Sequence, residues 1–201
     1  MIKRQRSIWF VLAIALSVTP ICSSQTDADW EWVSDNFGGV LDNLMPLQQS
    51  GLHVVYRAHR DYRTDVPEYW FTIGYDFGSG RLSAHVRLAD TSSIYDQLMR
   101  MHRSDPKEDA SSMVKKIRVK DWRVDDASCP LIREQIDRFQ DVKYTPFKLE
   151  THRIILHPMN HEFRLEAPDG TMNLIIWDDE HPLVRWAHET RLTLERCAQT
   201  K

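Results

Sequence analysis

Two stretches of this 201-residue chain share one layout, and that layout limits what the chain can fold into. In the first, residues 69–76 place Tyr69, Phe71, Ile73 and Tyr75 on one face, a Gly-rich turn follows at 77–80, and 81–89 place Leu82, Ala84, Val86 and Leu88 on one face. In the second, 161–166 and 171–177 alternate on either side of Pro168-Asp169-Gly170. Apolar residues at every second position on both sides of a tight turn predict an antiparallel hairpin. Both faces of 171–177 are apolar, which predicts a strand in the interior of its sheet.

Each hairpin ends in an acid, Asp90 or Asp178, and a helix opens shortly after it. The first of these helices is predicted at 93–103, capped by Ser92 or Ser93, with Ile94, Leu98 and Met101 buried. The second has Pro182 in its first turn and Leu183, Trp186, Ala187, Thr190, Leu194 and Cys197 on one face. A helix also precedes each hairpin. Residues 27–45 carry Trp30, Val33, Phe37, Val40, Leu41 and Leu44 at helical spacing. The Gly38-Gly39 pair, at up to about 2 kcal/mol against alanine, predicts a bend or break there. A further helix, capped by Ser128 or Asp126 and with Pro130 in its first turn, carries Cys129, Ile132, Ile136 and Phe139 at helical spacing. Strands are also predicted at 52–60 and 149–157, the latter central to its sheet.

The two halves, 27–103 and 125–201, therefore read as an internal αβββα duplication. Between them, 104–112 has the composition of a linker. Residues 114–124 read as a strand whose phase slips between Val119 and Trp122, as a bulge would produce. Lys115, Lys116, Arg118 and Lys120 suit the solvated face of an edge strand, which lysine protects from aggregation, better than an anion site. The expected fold class is α+β, with an antiparallel meander sheet or sheets flanked by helices, in one domain spanning 25–201.

Residues 1–24 have the pattern of a secretory signal peptide: Lys3, Arg4 and Arg6, then an apolar run at 8–18, then Pro20 and small residues at Ser23 and Ser24. The run is shorter than the roughly 20 apolar residues a bilayer requires. Cleavage is expected near Ser24/Gln25, an uncleaved anchor being the alternative. Cys22 lacks the preceding Leu and small residue of a lipoprotein signal. Without its three basic residues the chain has 23 basic against 29 acidic side chains, net −6, a poor match to nucleic acid. No stable membrane insertion is expected after cleavage. Export places the chain in the periplasm or outside the cell, and the absence of Asn-x-Ser/Thr sequons disfavours a glycoprotein.

Two cysteines then remain, Cys129 and Cys197, and an oxidising compartment predicts a disulfide between them. Closing a loop of that length stabilises by about 4 kcal/mol in the chain-entropy view.

Motifs for hydrolases, zincins, nucleotide binders and thiol oxidoreductases are absent. The strongest donor cluster is His157, His161, Asp178, Asp179 and His181, which has the chemistry of a zinc-type site if a hairpin places His157 opposite His161. Acids before a helix also serve as caps, and no cofactor is implied. Trp32 and Trp70 fall on the polar phase of their segments, as exposed contact residues would or as residues under a second helical layer would. The expected function is a non-catalytic binding protein of the envelope (an inhibitor, immunity-type or accessory factor) with another envelope or secreted protein as partner. A small periplasmic hydrolase or metal-dependent enzyme using the His157/His161/Asp178/His181 neighbourhood is the alternative.

Overall fold

Alternation along the strands builds the sheet, and helical stripes cover it. The computed structural model describes residues 23–47, 52–60, 67–76, 80–142, 159–167 and 170–199. These form α1 (Ser23–Leu44), β1 (Leu52–His59), β2 (Tyr69–Asp76), β3 (Arg81–Ala89), α2 (Ile94–Ser104), α3 (Ala110–Val114), β4 (Val119–Asp125), α4 (Leu131–Gln140), β5 (Asn160–Ala167), β6 (Gly170–Ile176) and α5 (Pro182–Gln199). All six strands join one sheet in the order β4-β3-β2-β1-β5-β6. Every neighbouring pair is antiparallel. The fold class is α+β. Strands β1 to β4 run as a meander, and the second hairpin joins it through β1 and β5.

Successive side chains of a strand point to opposite faces, so each face of this sheet has its own core. On one face Val54, Tyr56, Tyr69, Phe71, Ile73, Val86 and Phe163 pack with Ile132 of α4 and with Leu183, Trp186 and Leu194 of α5. Cys129 and Cys197 lie in the same core and form a disulfide, with Cα atoms 5.6 Å apart. We call this the disulfide face. On the opposite face Val55, Trp70 and Ala89 pack with Val33, Phe37 and Leu41 of α1, Ile94 and Leu98 of α2, and Met113 of α3. We call this the amino-terminal face.

The two-sided cover explains where local patterns mislead. Trp70 sits on the polar phase of β2 yet is 0% exposed, because α1 lies over it and its indole donates to Pro46 O at 2.8 Å. It presents no contact surface. The phase slip at 117–124 is likewise no bulge, since the β3–β4 register is continuous. Ile117 and Val119 belong to the amino-terminal core, whereas Trp122 and Val124 belong to the disulfide core. The linker expected at 104–112 contains the start of α3, capped by Asp109, whose carboxylate accepts from Ser112 N. Helix α1 runs through Gly38 and Gly39 without a break. Phe37, Val40 and Leu41 are all buried and hold the turns on either side of that pair.

Strand β4 is an edge, as its lysines suggest, and Lys120 pairs with Asp90. Among the described residues, strand β6 is the other edge of the sheet. The strand expected at 149–157, the turn at 77–79 and most of the leader at 1–24 lie outside the described residues.

Removing the staple gives a direct test of the disulfide layer. The Cys129→Ala/Cys197→Ala variant closes no 68-residue separation in its unfolded chain, so it should lose about 4 kcal/mol in urea unfolding. An unchanged midpoint would mean that the bond constrains nothing.

Candidate functional site

Among the described members of the predicted donor cluster, His161 is the one that the fold draws into the interior. It sits near the start of β5 with 0% exposure. Its Nδ1 lies 2.6 Å from the Tyr56 hydroxyl and its Nε2 2.6 Å from Asp179 Oδ1. The Tyr56 hydroxyl in turn lies 3.0 Å from that of Tyr69. A carboxylate only accepts, so Nε2 carries the proton and Nδ1 accepts from Tyr56. The Tyr56 oxygen is then free to accept from Tyr69. The chain Tyr69–Tyr56–His161–Asp179 is thus polarised in one direction, from the core to a carboxylate that is 69% exposed.

Two residues of α5 border this chain. The His188 ring lies 6.1 Å from that of His161, and the Arg191 guanidinium 4.8 Å from the centre of the Tyr69 ring. Burial sets the protonation states. It lowers the pKa of His161, against the opposing pull of Asp179, and it lowers that of His188 with help from His161. Burial also raises Tyr56 well above its usual range and pushes Tyr69 up to about 12. All four are neutral near pH 7.

Both nitrogens of His161 are hydrogen-bonded inside the protein. Asp178 lies close enough to act electrostatically on both His161 and His181. Asp178 accepts from Glu180 N at 2.9 Å, and His181 Nδ1 accepts from Leu183 N at 3.2 Å, so both shape the turn into α5. His157 lies outside the described residues, and β5 has β1 on one side and β6 on the other. Among the described residues no group of three or more His, Cys, Asp or Glu side chains could hold a metal ion. Trp32 is half-buried and stacks on His102, with ring centres 4.0 Å apart.

The features with the shape of a binding site lie elsewhere, beside β6. A cleft of about 810 Å³ opens between α4 and the disulfide face. Val54, Leu82 and Leu165 of the sheet, Ile136 and Phe139 of α4, and Met172 of β6 line it, with Arg133, Asp137 and Glu166. Met172 is 52% exposed, and on the same edge Ile175 is 60% and Trp177 57% exposed. The Trp177 indole is held by a hydrogen bond to Asn160 Oδ1 at 2.8 Å. The two-faced apolar pattern of 171–177 was the signal for this surface. Among the described residues that pattern falls on a sheet edge.

A buried acid shapes the amino-terminal face. Glu68 is 1% exposed and accepts from Ile94 N and Tyr95 N at the start of α2. Desolvation raises its pKa to about 7, although those amide hydrogen bonds oppose the rise.

No family model, no curated protein and no solved structure matches this chain. Fold and surface define it as an α+β protein with one six-stranded antiparallel sheet, a disulfide-tied helical layer and an apolar β edge beside a cleft.

Glu68 yields a signed pH prediction. Its folded pKa of about 7 exceeds the ordinary value of 4.5. Its contribution is therefore most favourable below pH 4.5 and is lost as pH rises through 7. The Glu68→Gln variant escapes that loss. Between pH 4.5 and 8 it should gain about 3 kcal/mol on the parent in urea unfolding. Parallel pH profiles for the two proteins would contradict the assignment.

Proposed function

We propose that the chain is an exported, non-catalytic binding protein of the cell envelope, of the inhibitor, immunity-type or accessory kind, which holds an extended segment of another exported polypeptide along β6. The observation that carries this reading is the apolar edge beside an open cleft. An edge strand offers a row of backbone donors and acceptors for strand addition, and alternate side chains of an added strand fall on opposite faces. One set would meet Met172 and the mouth of the cleft; the other would meet Ile175 and Trp177. Large exposed apolar side chains on an unprotected edge carry an aggregation risk that a soluble protein normally blunts with charge. β4 follows that rule with Lys120, and β6 does not.

Other observations support the reading. The amino-terminal pattern is that of a cleaved Sec-type signal, and cleavage near Ser24 would remove only the first two residues of α1. The Cys129–Cys197 disulfide suits an oxidising compartment. No helix among the described residues is long and apolar enough to cross a membrane.

The test is a comparative capture from the native envelope. The parent chain should retain one dominant protein at equal stoichiometry. Trp177→Ala should weaken it about 30-fold, the scale of an aromatic hot spot, and Ile175→Lys should do the same, with both variants folded because these side chains are exposed. A partner held equally by both variants would contradict the β6 surface. A bound metal or small molecule in place of a protein would favour an enzyme.

A further inference from the structure

On the opposite edge of the sheet lies a separate pocket of about 290 Å³ between α2, the turn that precedes it and the chain leading into β4. Thr91, Gln97, Arg100, Ser104, Lys116 and Arg118 line it together with Met101. Three of these side chains are cations and none is a carboxylate. Lys116 pairs with Glu108, which lies outside the lining. Arg100 donates to the Ser92 hydroxyl, and neither Arg100 nor Arg118 meets a carboxylate among the described residues. Two guanidinium groups thus face a pocket with their charge uncompensated, in a chain whose net charge is negative.

The walls of this pocket are built. Gln97 is buried and pins both sides at once: its Nε2 donates to Ser92 O and Arg118 O at 3.1 Å each, and its Oε1 accepts from Arg118 N at 2.8 Å. Asp90 N also donates to Arg118 O at 3.0 Å. The turn itself is unusual. Ser92 N donates to Asp90 O at 2.8 Å, which closes a three-residue γ-turn around Thr91 at φ 65°. That turn is the rare positive-φ form, and a β-branched residue is poorly suited to it. Thr91 is the only non-glycine residue with positive φ among the described residues. Glycine would adopt the turn without strain, but it would leave the pocket without the side chain that Thr91 contributes to its wall. Strained backbone of this kind concentrates where a side chain must be placed for function.

We infer that this pocket binds the phosphoryl group of a small phosphorylated molecule, held by Arg100, Arg118 and Lys116 with the Thr91 hydroxyl as a further donor. Guanidinium groups match the oxygens of a phosphoryl group in charge and fork geometry. Three cations exceed what one carboxylate would neutralise and suit a dianion. The volume corresponds to about ten waters at roughly 30 Å³ each, so the pocket has room for a modest organic group besides the phosphoryl. The net-acidic chain disfavours a polyanion at the same place.

Inorganic phosphate is the probe. It is titrated into the purified protein at constant ionic strength, with sodium chloride as the balancing salt, while backbone amide resonances are recorded. The expected result is saturable shifts at Thr91, Gln97 and Arg118, with affinity at least tenfold weaker in Arg100→Gln and in Arg118→Gln. Thr91→Gly should fold normally and bind several-fold more weakly. Both arginines are exposed, and an unchanged spectrum away from the pocket confirms that each variant is folded. Shifts that never saturate, that sodium chloride reproduces, or that persist in Arg118→Gln would overturn the assignment. The parent map alone decides the matter if a variant fails to fold.

Discussion

The β1–β5 ladder is the joint on which the rest of the fold depends. It pairs Val54 with Leu165 at one end and His59 with Asn160 at the other, and it joins the first meander to the second hairpin in one sheet. Buried polar ties cross it on both faces. On the amino-terminal face the Arg57 guanidinium binds its register partner Glu162, the Asp42 carboxylate of α1 and Met45 O. On the disulfide face Tyr56 reaches across to His161. Losing one member of such a buried pair strands the other without water, at a cost of about 3–5 kcal/mol for an ion pair. Neither half can leave the other without exposing these groups.

Two cores follow from that joint. Helices α1, α2 and α3 cover one face, and α4 and α5 cover the other. The two helices of the disulfide layer are bound to each other by more than the cysteines. Trp186 Nε1 donates to Gln135 O at 2.8 Å, and the Thr190 hydroxyl donates to Gln135 Oε1 at 3.1 Å. Helix α4 is only ten residues long, about 15 Å at 1.5 Å per residue. It lines the cleft with Ile136 and Phe139, while β6 remains at the sheet edge with Met172 exposed. The cleft and the apolar edge are therefore products of the same layer geometry. The cationic pocket arises at the far side of the sheet, where α2 turns back against β4.

Much of this architecture was legible in the chain. Alternation in 69–89 and 161–177 marked both hairpins, the 3.6-residue stripes of α1, α2 and α5 marked the helices, and the even cysteine pair marked the staple. What stayed hidden was information that a strand alone does not carry. Period two says that the faces of β2 differ, but not that α1 waits above Trp70. An apolar pattern on both faces of 171–177 fits an interior strand and an exposed edge equally well. Asp109 followed by serines reads as a linker until Met113 is seen to bury against α2. His161 was recognisable as a donor, but its partner Tyr56 lies 105 positions away in sequence. The basic run at 115–120 was visible, yet Arg100 and the strained Thr91 join it only through the fold.

Amide hydrogen exchange on the oxidised protein tests the central claim, that the β1–β5 ladder makes one cooperative unit of the two halves. Amides of β1, β2, β3 and β5 should exchange through a single opening event, with the same free energy and the same dependence on denaturant. Earlier, separate opening of β5, β6 and α5 while β1 to β3 stay protected would show two independent units and contradict the account.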